Sequence, residues 1–125
     1  MLEAEVKSAV ITRLKFWEMQ KVVVSWMRLN SGMVKVDGKY LRLCPPGTAD
    51  IVAYLRLPDG VCHVLFLECK RSEGGTWGYD QQEFAHRFIN FSNVSYEVVR
   101  NPQQVDELIE KITNHSKNKL NEITF

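Results

Sequence analysis

The sequence predicts an α/β fold, a mixed β-sheet flanked by helices in an α/β sandwich. Three observations carry that reading. An amphipathic helical repeat opens the chain, short β-branched runs are punctuated by Asp37-Gly38 and Pro58-Asp59-Gly60, and two later helical stretches enclose one more strand. At 125 residues the chain has the size of one domain, 1–125, with a polar tail from about 115.

Leu2, Val6, Ala9, Val10, Leu14 and Trp17 recur at helical spacing, so the first helix runs from Leu2 to about Trp17. Positions 3, 6, 10, 14 and 17 share its apolar face. That places Glu3 on the buried side and turns Glu5 toward solvent. An acid in the first turn also favours the helix dipole, which is the plainer reason for Glu3. Val22 to Leu29 is β-branched and aromatic, a strand ending in the turn Asn30-Ser31-Gly32.

In the run 33–43, Asp37-Gly38 sits between two extended stretches, the pair that suits a two-residue type I′ hairpin. Over the segment 28–42, Arg28, Lys35, Lys39 and Arg42 stand against Asp37 alone, a balance of +3 around the hairpin. Lysines also guard exposed sheet edges against aggregation, an alternative use for them. Pro45-Pro46-Gly47-Thr48 is a rigid approach to strand 50–55, which a Pro-Asp-Gly turn joins to strand 61–70. A glycine-rich loop (73–79) leads to a helix from about Asp80 to Phe91, with Phe84, Phe88 and Phe91 as its core stripe and Gln81 on the same face. Val94 to Arg100 is the last strand. Asn101-Pro102 opens a final helix from about Gln103 to Thr113, with fraying expected after His115.

With 45% hydrophobic and 25% charged residues, 4 Pro and 7 Gly, the chain is neither disordered nor collagenous. No apolar run approaches the ~20 residues of a membrane helix, and the N-terminus lacks a secretory pattern, so a cytoplasmic protein without a membrane partner is expected. Cys44, Cys62 and Cys69 form no CxxC pair and are expected as buried reduced thiols. His63, His86 and His115 show no zinc-ligand spacing. The net charge of +1 announces no nucleic-acid partner by itself.

The chemistry lies in the second hairpin. If Leu57 pairs with Val61, Asp50 falls opposite Glu68, with Cβ atoms about 4.5 to 5.5 Å apart on one face. Lys70 follows two residues on, about 7 Å along the strand on the same face. Two carboxylates at that separation can hold Mg²⁺ or Mn²⁺, and a metal can polarise a phosphodiester and generate hydroxide. The lysine can orient or help deprotonate water and stabilise developing negative charge. A structural Glu68–Lys70 ion pair at a strand end is the bland alternative.

Gly47-Thr48-Ala49-Asp50-Ile51, Phe66-Leu67-Glu68-Cys69-Lys70 and Tyr79-Asp80-Gln81-Gln82-Glu83-Phe84 resemble the VRR-NUC (virus-type replication-repair nuclease) branch of the PD-(D/E)XK nucleases. The stand-alone phage and bacterial type is the nearest in form. The resemblance implies a restriction-endonuclease-like sandwich and a role for each matching residue. Asp50, Glu68 and the backbone carbonyl of Cys69 would hold the metal, Lys70 would be the catalytic lysine, and Gln81 would support the site. Glu3, with Glu5 as the fallback, would be the helical acid that reaches the metal or its water. The loop GGTWGYDQ departs from the shorter serine-containing stretch of many relatives.

The expected activity is therefore metal-dependent, structure-selective hydrolysis of branched, Holliday-junction-like DNA by a homodimer cutting two strands. Asn30, Ser31, Lys35, Lys39, Arg42 and Arg71 are the expected DNA contacts. A flap or restriction-like nuclease of the same fold, or a catalytically silent DNA-binding domain, are the alternatives. Trp17 and Trp26 are expected in the core, whereas Trp77 either stacks on an unpaired base or packs its loop down.

Overall fold

The computed structural model describes residues 1–29 and 32–123, with side chains through Lys119. The elements are α1 (Glu3–Met19), β1 (Val23–Arg28), β2 (Met33–Val36), β3 (Lys39–Arg42), β4 (Ile51–Arg56), β5 (Cys62–Cys69), α2 (Tyr79–His86), β6 (Val94–Val99) and α3 (Pro102–Ile123). Four strands make one sheet in the order β1-β4-β5-β6, and β2 and β3 make a separate hairpin. Because β1/β4 and β4/β5 are antiparallel while β5/β6 is parallel, the sheet is mixed.

Strand alternation divides the sheet into two buried faces. Ile51, Ala53, Leu55, Leu65, Leu67 and Cys69 point to one side, fully buried beneath Val6, Val10 and Leu14 of α1 and Val105 and Ile109 of α3. Each large aliphatic side chain removed from water in this way contributes about 1.5–3 kcal/mol. Asp106 fastens the two helices together, its Oδ1 accepting from Arg13 Nε at 2.9 Å and Trp17 Nε1 at 2.8 Å. On the other side, Phe66 receives Phe84 and Phe88 with ring centroids 5.3 and 5.2 Å away. The result is helices on both faces of a mixed sheet, as the element pattern implied.

Two turns set the strand registers. Asp37 and Gly38 both take positive φ, 50° and 77°, as a type I′ hairpin requires. In the second hairpin Gly60 N donates to Leu57 O and Leu57 N to Val61 O. Gly60 supplies the left-handed residue at φ 84°. The pairs Ile51↔Leu67 and Arg56↔Cys62 continue the register expected from Leu57 opposite Val61.

Several expectations are corrected. Helix α2 ends at His86 rather than Phe91, because the chain then tightens into i→i+3 bonds, Phe88 N to Ala85 O and Ile89 N to His86 O. Phe91 is consequently 58% exposed instead of in the core. Helix α3 does not fray after His115 but continues to Ile123, since the stripe of Val105, Ile109 and Ile112 runs on to buried Ser116. Of the three cysteines only Cys69 is buried; Cys44 is half-buried and Cys62 exposed. Among the described residues no helix is long and apolar enough to cross a membrane.

Candidate active site

The register that pairs Ile51 with Leu67 brings Asp50, just before β4, to the same sheet end as Glu68 near the end of β5. Both line one cleft with Lys70, Gly47, Thr48 and Gln81. Asp50 is held from two sides: Oδ2 accepts from the Cys69 backbone N–H at 2.8 Å, and Oδ1 lies 3.3 Å from Lys7 Nζ. Glu68 is buried, and its Oε2 lies 3.1 Å from the Tyr96 hydroxyl. That hydroxyl also lies 3.2 Å from the Gly47 carbonyl oxygen.

Burial, then the hydrogen bond and negative charge of Asp50, raise the Glu68 carboxyl to about 8. Tyr96 and Lys70 pull the other way without overcoming them. Two carboxyl groups forced together at a buried strand end cannot both ionise cheaply unless a cation joins them. Burial chiefly, and the neighbouring carboxyls, also raise the Tyr96 hydroxyl and push the Cys69 thiol up to about 12. Neither is therefore a nucleophile at neutral pH.

The cleft's outer wall is built by glycines. Thr48 N–H and Oγ both donate to the Pro45 carbonyl, and Gly47 has φ 80°, the pattern of a type II turn with proline second and glycine third. A Cβ on Gly47 would collide with the Asp80 carbonyl oxygen, so this turn packs directly on the backbone of α2. At Gly75 a Cβ would come 3.6 Å from Lys70 Cδ, showing the glycine loop laid along the lysine stem. Arg100 braces the same loop by donating to the carbonyls of Arg71 and Gly74.

The expected residues are thus partly united. Asp50, Glu68, Lys70 and Gln81 share the cleft. Gln81 Oε1 accepts from Gly78 N–H at 3.1 Å, a helix-capping bond that leaves the side-chain amide N–H groups to offer the cleft. Glu3 is exposed, with no bond to Asp50 or Glu68, although its charge is felt at Cys69. Glu5 accepts from Leu2 N–H at 2.9 Å and caps α1. The residue that α1 does bring to Asp50 is Lys7, one turn beyond Glu3, which sequence reasoning passed over. Tyr96 was passed over as well, and it reaches Glu68 only through the parallel pairing Phe66↔Tyr96.

The basic hairpin divides by strand alternation. Lys35 and Arg42 share a face with Met33 and Tyr40, whereas Lys39 lies on the opposite face with Val34, Val36 and Leu41. Arg71 is exposed in the loop after Lys70, while Asn30 and Ser31 lie outside the described residues. Trp77 is 46% exposed and packs toward Tyr96, ring centroids 6.3 Å apart.

Among the described residues no group of three or more His, Cys, Asp and Glu side chains comes together as a metal-holding set. Two carboxylates with room for water and a phosphate nevertheless match the donor set of Mg²⁺ or Mn²⁺, which favour oxygen and keep several waters. No protein-family model, curated protein or solved structure matches the chain.

Proposed function

We propose that this protein is a Mg²⁺- or Mn²⁺-dependent, structure-selective DNA endonuclease with the restriction-endonuclease-like PD-(D/E)XK sandwich, of the VRR-NUC kind its motifs resemble. The observation that carries the reading is that Asp50, Glu68 and Lys70 line one cleft, with the Asp50 charge felt at Glu68. A fold used only for binding has no evident need of two acids pressed together at a buried strand end.

Asp50, Glu68 and the Cys69 carbonyl would hold the metal, which supplies Lewis-acid polarisation of the phosphodiester and an acidified water. The Cys69 N–H and Lys7 fix the two oxygens of Asp50, and Tyr96 fixes Glu68, so the carboxylates are oriented before substrate arrives. Lys70 orients the attacking water and offsets negative charge on the phosphoryl oxygens. The water oxygen bonds to phosphorus as the bond to the leaving sugar oxygen breaks, and that oxygen takes up a proton. Gln81 supports the scissile region with its amide. Lys35, Arg42 and Arg71 meet phosphates, giving salt-sensitive binding that ignores sequence. The chain acts as a homodimer with one site per protomer, cutting paired strands of a branched junction.

The test incubates the protein with end-labelled four-way junction, flap, single-stranded and duplex DNA in Mg²⁺, Mn²⁺ or EDTA, beside Lys70→Ala. Metal-dependent cutting of the junction, lost in the variant, is expected. Preference for flap or plain duplex would replace junction resolution with the flap or restriction-like activity. Tight binding with no cutting of any substrate would overturn the enzyme and leave a silent DNA-binding domain.

A further inference from the structure

The strand that carries Glu68 carries another polar group at its other end. His63 lies five residues before Glu68 on β5, roughly 17 Å away at ~3.3 Å per residue, and alternation turns it to the opposite face. It is only 6% exposed, in the wall of a cavity of about 370 Å³ between α3, β6 and the 57–61 turn. That volume is within the ~300–1,000 Å³ of small-molecule sites.

Three features of the cavity specify a ligand. First, His63 Nε2 lies 2.7 Å from Ser95 Oγ, while no hydrogen bond reaches Nδ1 among the described residues. Burial lowers the His63 pKa, so at neutral pH the ring is a neutral donor–acceptor facing the cavity. Second, Lys111, His115 and Lys119 recur every fourth residue along α3 and all line the cavity, with neither lysine in an ion pair among the described residues. Third, Leu57, Leu108 and Ile112 supply an apolar floor.

Two acids, Asp59 and Glu97, also line the cavity. Asp59 Oδ1 accepts from Val61 N–H at 3.0 Å, and Glu97 offers an acceptor for a ligand N–H or O–H. An apolar floor, a neutral imidazole and an acceptor suit a heterocyclic body with hydrogen-bonding edges. A stripe of unpaired lysines suits a single phosphate on that body. A bare phosphate would leave the floor and the imidazole unused.

We propose that this cavity binds a nucleoside monophosphate, with the phosphate on the Lys111–His115–Lys119 stripe and the base over the aliphatic floor beside His63. The site is separate from the carboxylate cleft, and the proposal holds whether or not that cleft is a nuclease centre.

The chain's three histidines provide the test, since His63 and His115 line the cavity and His86 does not. Imidazole carbon-bound proton resonances are followed by NMR in EDTA during titration with adenosine 5′-monophosphate, thymidine 5′-monophosphate, adenosine or inorganic phosphate. A monophosphate is expected to move His63 and His115 with saturation and to leave His86 in place. Adenosine is expected to bind at least ~10-fold more weakly, and Lys111→Ala/Lys119→Ala to weaken the monophosphate by about the same factor, ~1.4 kcal/mol. No movement of His63 with either nucleotide at several millimolar overturns the site. Equal response to adenosine, or an unchanged affinity in the double variant, overturns the phosphate assignment, and equal response to inorganic phosphate overturns the nucleoside.

Discussion

Replacing Gly47 by alanine tests whether backbone contact between the 45–48 turn and α2 shapes the cleft. Positive φ alone costs an alanine about 1–2 kcal/mol, reduced by ~0.4–1 kcal/mol through the stiffer unfolded chain. Gly60 provides that baseline, because its φ is 84° and a Cβ there meets nothing within 4 Å. Gly60→Ala should therefore cost about 1 kcal/mol. At Gly47 the new Cβ would collide with the Asp80 carbonyl oxygen and stand 2.7 Å from Gln81 N, so the first turn of α2 must retreat. Retreat loosens Phe84 from Phe66, and losing part of one buried aromatic's ~1.5–3 kcal/mol adds to the φ strain. Gly47→Ala should then cost roughly 3 kcal/mol, about 2 more than Gly60→Ala. Urea unfolding of both variants beside the parent protein measures the difference. Equal losses would refute the close approach as the reason for glycine at 47.

Glu68 gives the fold a characteristic pH dependence. Its folded-state value of about 8 lies above the ordinary 4.5, so its contribution is fully present below about pH 4.5 and is lost as pH rises through 8. The urea midpoint should fall across that window, less so in Glu68→Gln, and parallel profiles would count against the buried acid pair. Asp50→Asn should bring the Glu68 titration, followed by carboxyl carbon NMR, part of the way back and leave it raised by burial. Thiol labelling should reach exposed Cys62 first and modify Cys69, buried with its thiol raised to about 12, only in denaturant. Comparable rates for the two in the native protein would contradict the packing of β5 under α1.

What the sequence made legible follows from how locally each feature is determined. Asp37-Gly38 and the 57–61 turn fix their hairpins within a few residues, so the juxtaposition of Asp50 with Glu68 and Lys70 could be counted out from one turn. The Lys7 contact could not, because it depends on which turn of α1 overhangs the end of β4. The apolar stripe gives the helix its inward face but not its position along the sheet, and Glu3 was expected where Lys7 stands. Tyr96 was hidden for a related reason, since β5 and β6 pair in parallel across a long connection and no short turn sets their register. The far half of α3 is hidden from sequence patterning because Ser116 occupies a core position with a polar name. Lys35, Lys39 and Arg42 of the basic hairpin do not form one surface, and the alternation that separates Lys39 from Lys35 is itself readable in the sequence.

The short turn at 57–61 governs more than its own neighbourhood. It is pinned by Gly60 N–H on Leu57 O, Val61 N–H on Asp59 Oδ1 and Asp59 N–H on the buried Ser116 hydroxyl of α3. Because side chains alternate along a strand, inserting one residue there would turn every later position of β5 over. Glu68 and Lys70 would be driven toward the aliphatic layer under α1, Leu67 and Cys69 would face the cleft, and His63 would leave its cavity. The spacing of a loop at the far edge of the molecule thus acts as the parity bit for both polar sites on β5. Deletions or insertions in this loop should be far less tolerated than its exposed Pro58-Asp59-Gly60 tip suggests.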